Sequence, residues 1–184
     1  MRQDAGIARL ILLNGPPGVG KSTVARRYLD DHPLALVIEV DDLRMAMGRW
    51  GEHEESRLQA RALALALART HLGVGLDVVV PQYLGRAEFV DQLEAVASEV
   101  GAEFNHVLLA DAHQAVVRRF RVRRAELLAS GRAHPQADLA DDQVEAAVAE
   151  AERRLADLAA DRRGMRFVDL SAGDGYDGML AALG

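Results

Sequence analysis

Residues 15–22 carry the residue types and spacing most able to do chemistry, because the segment GPPGVGKS matches the phosphate-binding pattern G-x-x-x-x-G-K-[ST] at every fixed position. Its glycines allow the backbone to turn sharply and approach phosphates, and its N–H groups at the start of a helix favour an anion. The Lys21 ammonium can reach the β- and γ-phosphates, and the Ser22 hydroxyl can bind Mg²⁺. The segment therefore predicts a site for ATP and Mg²⁺, formed by Gly15, Gly18, Val19, Gly20, Lys21, Ser22 and Thr23.

A pair of carboxylates, Asp41 and Asp42, follows the second predicted strand at residues 35–40. Because ligands of parallel α/β sheets bind at the carboxyl ends of the strands, Asp41 could orient an acceptor hydroxyl in line with the γ-phosphate. Asp42 is the rival for that role, and it could instead contact Mg²⁺ through water. Asp41 could also cap the next helix, and one residue can do both. Glu39 is a weaker third candidate, because a regular strand points it to the face opposite Val40.

Five arginines crowd residues 118–124, in the sequence RRFRVRR. Arg119 and Arg123 are four residues apart, so they share one face of the predicted helix and could clamp the β- and γ-phosphates during transfer. Arg124 and Arg132 are second choices for this role. The alternative is a solvated charged face, since so dense a run of arginines needs some exposure in any case.

The end of the third predicted strand helps to distinguish between the classes of protein that contain a phosphate-binding loop. It ends in Val80-Pro81-Gln82-Tyr83, so a proline stands where ATPases that couple hydrolysis to motion usually carry an aspartate. The chain also lacks the N-K-x-D pattern with which GTPases read guanine. Both observations favour a kinase, and the polar ends of Gln82 and Tyr83 could contact its substrate.

The elements that must position these residues follow from apolar runs of strand length that alternate with longer helical patterns. Such alternation is typical of a parallel sheet flanked by helices. The sequence therefore predicts one domain over residues 1–184, an α/β three-layer sandwich with five strands. The predicted strands are Ala8–Asn14, Ala35–Val40, Asp77–Val80, Glu103–Ala110 and Met165–Leu170.

The phosphate-binding loop, the Asp41–Arg44 element and the arginine-rich helix together resemble the small P-loop kinases of the nucleoside-monophosphate-kinase-like fold. Among these the chain looks most similar to chloramphenicol phosphotransferase and the kinase domain of phage polynucleotide kinase. The resemblance implies the strand order 2-3-1-4-5, with Asp41 taking the proton of the acceptor hydroxyl and Arg44 helping to hold substrate or phosphate. It also implies a small helical lid at about residues 119–135, with Gly131 and Arg132 at its tip.

Composition narrows the range of partners. The formal net charge of −6 and an aromatic content of 4% make nucleic acid an unlikely ligand. There is no cysteine and no apolar run long enough to span a membrane, which fits a cytoplasmic protein. Leu63, Leu65 and Leu67 alternate with alanine in a predicted helix, which is either well buried or part of a homodimer contact.

These observations predict an ATP-dependent phosphotransferase that moves the γ-phosphate to a hydroxyl of a small molecule, with an antibiotic or other natural product as one candidate acceptor. A polynucleotide 5′-hydroxyl kinase is the alternative within the same class. An ATP-binding regulatory or resistance protein without turnover is the alternative from another class, and the missing aspartate at Pro81 is its best support.

Overall fold

A computed structural model describes residues 7–131, 133–136 and 139–184. Five strands form a single sheet in which every neighbouring pair is parallel. Their order is β2-β3-β1-β4-β5, which confirms the predicted topology. The strands are β1 (Arg9–Asn14), β2 (Leu36–Val37), β3 (Val78–Pro81), β4 (Glu103–Ala110) and β5 (Arg166–Asp169).

Helices cover both faces of the sheet and complete the predicted three-layer sandwich. The helices are α1 (Lys21–Asp31), α2 (Val40–Met45), α3 (Ser56–Leu72), α4 (Ala87–Val100), α5 (His113–Ala129), α6 (Val144–Asp161) and α7 (Gly175–Leu183). One apolar cluster joins the sheet to α3 and α4, and a second joins it to α1, α5 and α7. Single turns of 3₁₀-helix, Trp50–Glu52, Asp141–Gln143 and Leu170–Ala172, connect longer elements.

Strand β1 is buried on both faces, which explains its unbroken apolar sequence. Leu10 and Leu12 belong to one apolar cluster, whereas Ile11 and Leu13 belong to the cluster on the opposite face of the sheet. The central strand thus holds the two helical layers together, and it delivers the phosphate-binding loop directly from its carboxyl end.

The second strand is shorter than predicted, because it ends at Val37 rather than at Val40. The Ile38 N–H still donates to the Val79 carbonyl. The next bond of that ladder would require an N–H from residue 81, and Pro81 has none. The chain therefore leaves the sheet and begins α2 at Val40, so that Asp41 lies in the first turn of a helix instead of after a strand.

Helix α3 begins at Ser56 and buries a stripe of small residues four apart, Ala60, Ala64 and Ala68. Its outer side leaves Leu63 and Leu67 partly exposed to solvent. The helix is therefore only half buried, and the homodimer contact remains a prediction. No helix in the described part of the chain combines the length and apolar character that a membrane span needs.

Candidate active site

The loop between β1 and α1 wraps around its own lysine. The Lys21 ammonium donates to the Gly15 carbonyl at 2.8 Å and to the Pro16 carbonyl at 3.0 Å. Gly18 has a φ of +84°, and a Cβ there would lie 2.8 Å from the Cβ of Phe120 in α5. The positive φ and the close approach of Phe120 both require glycine at this position. Because glycine has no side chain, α5 can close one side of the loop.

A cavity of about 210 Å³ opens beside this loop. Six residues of the predicted site line it together with the loop glycines: Lys21, Ser22, Thr23, Asp41, Arg119 and Arg123. Four further residues of the lining are Glu39, Gln82, Tyr83 and Gln136. The structure thus gathers residues from the first loop, the start of α2, the end of β3 and α5 around one space.

Burial of the Lys21 ammonium and, to a smaller extent, the nearby Arg123 guanidinium lower its pKa to about 7. The carboxylates of Glu39 and Asp41 act in the opposite direction. In the free protein, therefore, a large part of the Lys21 population is uncharged near neutral pH. An incoming phosphate supplies the negative charge that this lysine lacks and favours its protonated form.

Arg119 and Arg123 reach the cavity in different ways. The Arg119 guanidinium donates to the Gly18 carbonyl at 2.9 Å and to the Asp111 carboxylate at 2.6 Å, so it is held against the loop. Arg123 forms no hydrogen bond or ion pair with any residue of the described chain, although its charge is felt by Lys21. Between them Phe120 is buried in the core and fixes this part of α5. Arg123 is the more readily available cation.

Glu39, the weaker candidate from sequence, occupies a central place in the cavity. Because β2 ends early, Glu39 stands just before α2 and not on a regular strand, so the expected alternation does not apply to it. Burial raises the pKa of its carboxyl group, while a hydrogen bond from the Ser22 hydroxyl opposes that shift. Asp42, the predicted metal ligand, is absent from the lining of this cavity.

The oxygen atoms available here fit Mg²⁺. This ion is usually held by one or two carboxylates together with the phosphates of the substrate. Ser22 supplies a hydroxyl beside the Glu39 carboxylate, and Asp41 supplies a second carboxylate on the same cavity. Within the described residues no group of three or more acidic or histidine side chains could hold a metal alone. Bound phosphates would therefore have to complete the coordination.

Arg44 lies outside the phosphate cavity. Its Nε donates to the Ser56 hydroxyl at 2.9 Å, and its guanidinium lies 4.8 Å from the centre of the Trp50 ring. Both Arg44 and Trp50 line a neighbouring cavity of about 610 Å³, which His134 and Pro135 close from the other side. This position suits contact with an acceptor better than contact with the γ-phosphate.

Asn14, at the carboxyl end of β1, is a structural residue of the site that sequence reasoning passed over. It is fully buried, and its carbonyl oxygen accepts from the N–H groups of Gly15 at 2.8 Å and Leu84 at 2.9 Å. Its amide nitrogen donates to the Leu84 carbonyl at 2.9 Å and lies 3.2 Å from His106 Nε2. Asn14 thus ties the phosphate-binding loop to the segment after β3. The sequence signal that could have identified Asn14 is a single polar residue at the end of an otherwise apolar strand.

The segment after α5 folds back over the site. His134 is buried and lies close enough to Asp41 and Arg123 to be affected by their charges. Gln136 lines the phosphate cavity, and Arg124 donates to the Leu139 carbonyl. These contacts place the predicted lid next to the predicted base. The predicted tip residue Arg132 lies outside the described residues.

Solved structures with this fold include several kinases. A gluconokinase from Sinorhizobium meliloti 1021 aligns with a TM-score of 0.59 and 20% identity, over 99% of this chain and 93% of its own. The Deinococcus radiodurans tunicamycin resistance protein aligns with a TM-score of 0.56 and 17% identity, over 95% and 93%. The Mycobacterium tuberculosis APS kinase in complex with AMPPNP and APS aligns with a TM-score of 0.51 and 22% identity, over 80% of this chain and 98% of its own. At these identities the likeness concerns the fold.

Among curated proteins, none matches the sequence significantly. The model of the AAA domain family, in contrast, matches residues 10–153. That range contains β1, the phosphate-binding loop, the start of α2 and the arginine-rich helix α5. Because the match covers most of the chain and every one of the elements that form the phosphate cavity, the chain belongs to the AAA domain family, with the fold of the P-loop kinases.

Proposed function

We propose that this protein is an ATP-dependent phosphotransferase that moves the γ-phosphate to a hydroxyl group of a small molecule. The observation that carries the proposal is the common cavity in which a carboxylate, Asp41, faces the phosphate-binding lysine and two arginines. A protein that only binds ATP has no need for a base beside the γ-phosphate position. Kinases need that base together with cations that neutralise the transferred group.

The side chains divide the reaction between them. Lys21 exchanges the two loop carbonyls for the β- and γ-phosphates, while Arg119 and Arg123 face the oxygens of the transferred group. Asp41 accepts the proton of the acceptor hydroxyl while the oxygen of that hydroxyl attacks the γ-phosphorus. The bond from the γ-phosphorus to the bridging oxygen breaks, and ADP leaves. Ser22 and Glu39 would hold Mg²⁺, which neutralises charge on the phosphates when it is bound.

The cavity that Arg44 and Trp50 line offers space for the body of an acceptor. The neighbouring cavity that holds Arg44 and Trp50 is larger than the phosphate cavity, and it combines an aromatic surface with charged groups. Such a lining suits a compact polar molecule. The fold likeness to a gluconokinase and to a tunicamycin resistance protein is compatible with a small-molecule acceptor, an antibiotic among them.

Transfer of label from γ-labelled ATP to a panel of hydroxyl compounds, nucleosides and oligonucleotides tests this proposal. We expect a labelled small molecule with the wild-type protein and none with Lys21→Ala, whose folding is checked by circular dichroism. Labelled oligonucleotide instead would identify a polynucleotide 5′-hydroxyl kinase. ATP binding without transfer to any compound of a broad panel would favour a regulatory or resistance protein without turnover.

A further inference from the structure

A third cavity, lined by four arginines, adjoins the phosphate cavity. Tyr83 lines both spaces, so the two cavities meet at this residue. The third cavity has a volume of about 370 Å³, and we call it the arginine pocket. Its arginines come from α3, from the start of α4 and from α6, and they are Arg57, Arg61, Arg86 and Arg154.

Two of these four arginines have no counter-charge. Arg57 pairs with Glu54 and Arg154 pairs with Glu150, but neither Arg61 nor Arg86 has a carboxylate within ion-pair distance in the described part of the chain. Among the described residues, Glu88 is the one that brings a carboxylate to the lining of the arginine pocket. A chain with a net charge of −6 has many acidic side chains that could neutralise a surface arginine. Two unpaired guanidiniums on one pocket therefore indicate an anionic ligand.

The local structure supports this interpretation. The Arg61 guanidinium lies 5.1 Å from the centre of the buried Phe89 ring, and this contact restricts the positions that the guanidinium can occupy. The N-terminal end of the 14-residue helix α4 lies on the pocket, which its N-cap residue Arg86 and its first-turn residue Phe89 line, so the positive end of the helix dipole adds to the same potential. The pocket thus presents cations from two elements whose positions the core fixes.

The Tyr83 phenol packs closely against Gly85, the second residue after it in the chain. A Cβ at Gly85 would lie 2.7 Å from the Tyr83 hydroxyl oxygen and 3.1 Å from Arg154 Cβ, so any side chain there would displace the phenol. Burial raises the pKa of Tyr83, and the charge of Arg154 opposes the shift. The phenol keeps its proton at neutral pH and can donate a hydrogen bond to a ligand that passes from one cavity to the other.

We propose that the arginine pocket binds an anionic group of the acceptor, an inference that rests on the proposed phosphotransferase function. The substrate is then an alcohol that carries a phosphate, sulfate or carboxylate. Its anionic end lies between Arg61 and Arg86, its chain passes Tyr83, and its hydroxyl reaches Asp41 in the phosphate cavity. The two unpaired guanidiniums favour such a compound over a neutral alcohol.

Binding of inorganic sulfate tests the pocket without any need for turnover. Calorimetric titration is done with the phosphate-binding loop saturated by a non-hydrolysable ATP analogue, so that sulfate cannot bind there. We expect saturable binding to the wild type and at least a tenfold weaker affinity for the double variant Arg61→Gln/Arg86→Gln. Arg69→Gln, in the same helix α3 but paired with Glu99, should bind sulfate like the wild type. Absent saturable binding, or equal binding by both variants, overturns the proposal.

Matched pairs of alcohols then connect the pocket to the reaction, with glycerate against glycerol and gluconate against glucitol as probes. We expect the anionic member of each pair to have at least a tenfold higher kcat/KM, and the double variant to lose that preference while it binds the ATP analogue normally. Equal kcat/KM values of the wild type for the anionic and the neutral member of each pair, or a preference for the anionic member that the double variant keeps, would overturn the anionic acceptor. Sulfate binding in the pocket together with no transfer to any alcohol would instead contradict the proposed function and leave the anion site in place.

Discussion

Nucleotide binding should draw a proton into the site, because the free protein holds Lys21 largely uncharged above neutral pH. With a pKa of about 7, roughly nine-tenths of the Lys21 side chains are neutral at pH 8. The ammonium form is needed against the β- and γ-phosphates, and their charge raises the pKa of this lysine again. Binding at pH 8 is therefore expected to take up close to one proton per nucleotide.

The same linkage fixes how affinity depends on pH. The bound state holds the proton more tightly than the free state, so the affinity for nucleotide falls as pH rises through the pKa of the free protein. Between about pH 7 and the ordinary lysine value of 10.5, the dissociation constant should rise roughly tenfold for each pH unit. Below pH 7 the lysine is already charged, and this dependence should disappear.

Calorimetric titration with a non-hydrolysable ATP analogue at pH 8, in two buffers with different protonation enthalpies, measures the proton uptake directly. Lys21→Arg is the matched control, since a guanidinium keeps its proton throughout this pH range. Protonation of the nucleotide itself is common to both proteins, so the difference between them reports Lys21. Equal uptake by the two proteins, or an affinity of the wild type that does not change between pH 7 and 9, would refute the argument from burial.

Three further predictions concern the base, the loop and the lid. Asp41→Asn should lower kcat by about 10²–10⁴-fold with little change in ATP affinity, and a large loss in Asp42→Asn alone would identify the other carboxylate as the base. Asn14→Ala should lower the free energy of unfolding by about 3 kcal/mol, because it leaves buried groups of Gly15 and Leu84 unpaired; a loss under 1 kcal/mol in urea titration would contradict this. Hydrogen exchange in the described part of the predicted lid, residues 119–131 and 133–135, should slow when a non-hydrolysable ATP analogue and acceptor bind together, and unchanged protection would exclude a lid.

Sequence reasoning succeeded where the relevant residues are close together in the chain. The phosphate-binding loop is eight consecutive residues, and its match fixed the positions of β1 and α1 as well. Arg119 and Arg123 were paired from their spacing of four, which places them on one face of any helix. The bounds of β4 were predicted without error, since its apolar run has a clear turn at each end. The strand order came from the family resemblance.

The features that sequence reasoning missed depend on contacts between distant residues. Asn14 bonds to Leu84, 70 positions away, and lies against His106, 92 positions away. The arginine pocket joins residues from three helices, and each of its arginines seen alone is an ordinary surface cation. Periodicity describes only the neighbours within one element, so neither arrangement leaves a local pattern in the chain.

The proline at the end of β3 links the early end of β2 to the chemistry of the site. The usual aspartate at this position would hold Mg²⁺ from the third strand, but Pro81 lacks both a carboxylate and the N–H that would extend β2. The chain therefore leaves the sheet after Ile38, and this departure places Glu39 and Asp41 on the phosphate cavity. Pro81 thus accounts both for the missing carboxylate at the end of β3 and for the early end of β2, after which Glu39 and Asp41 lie on the phosphate cavity.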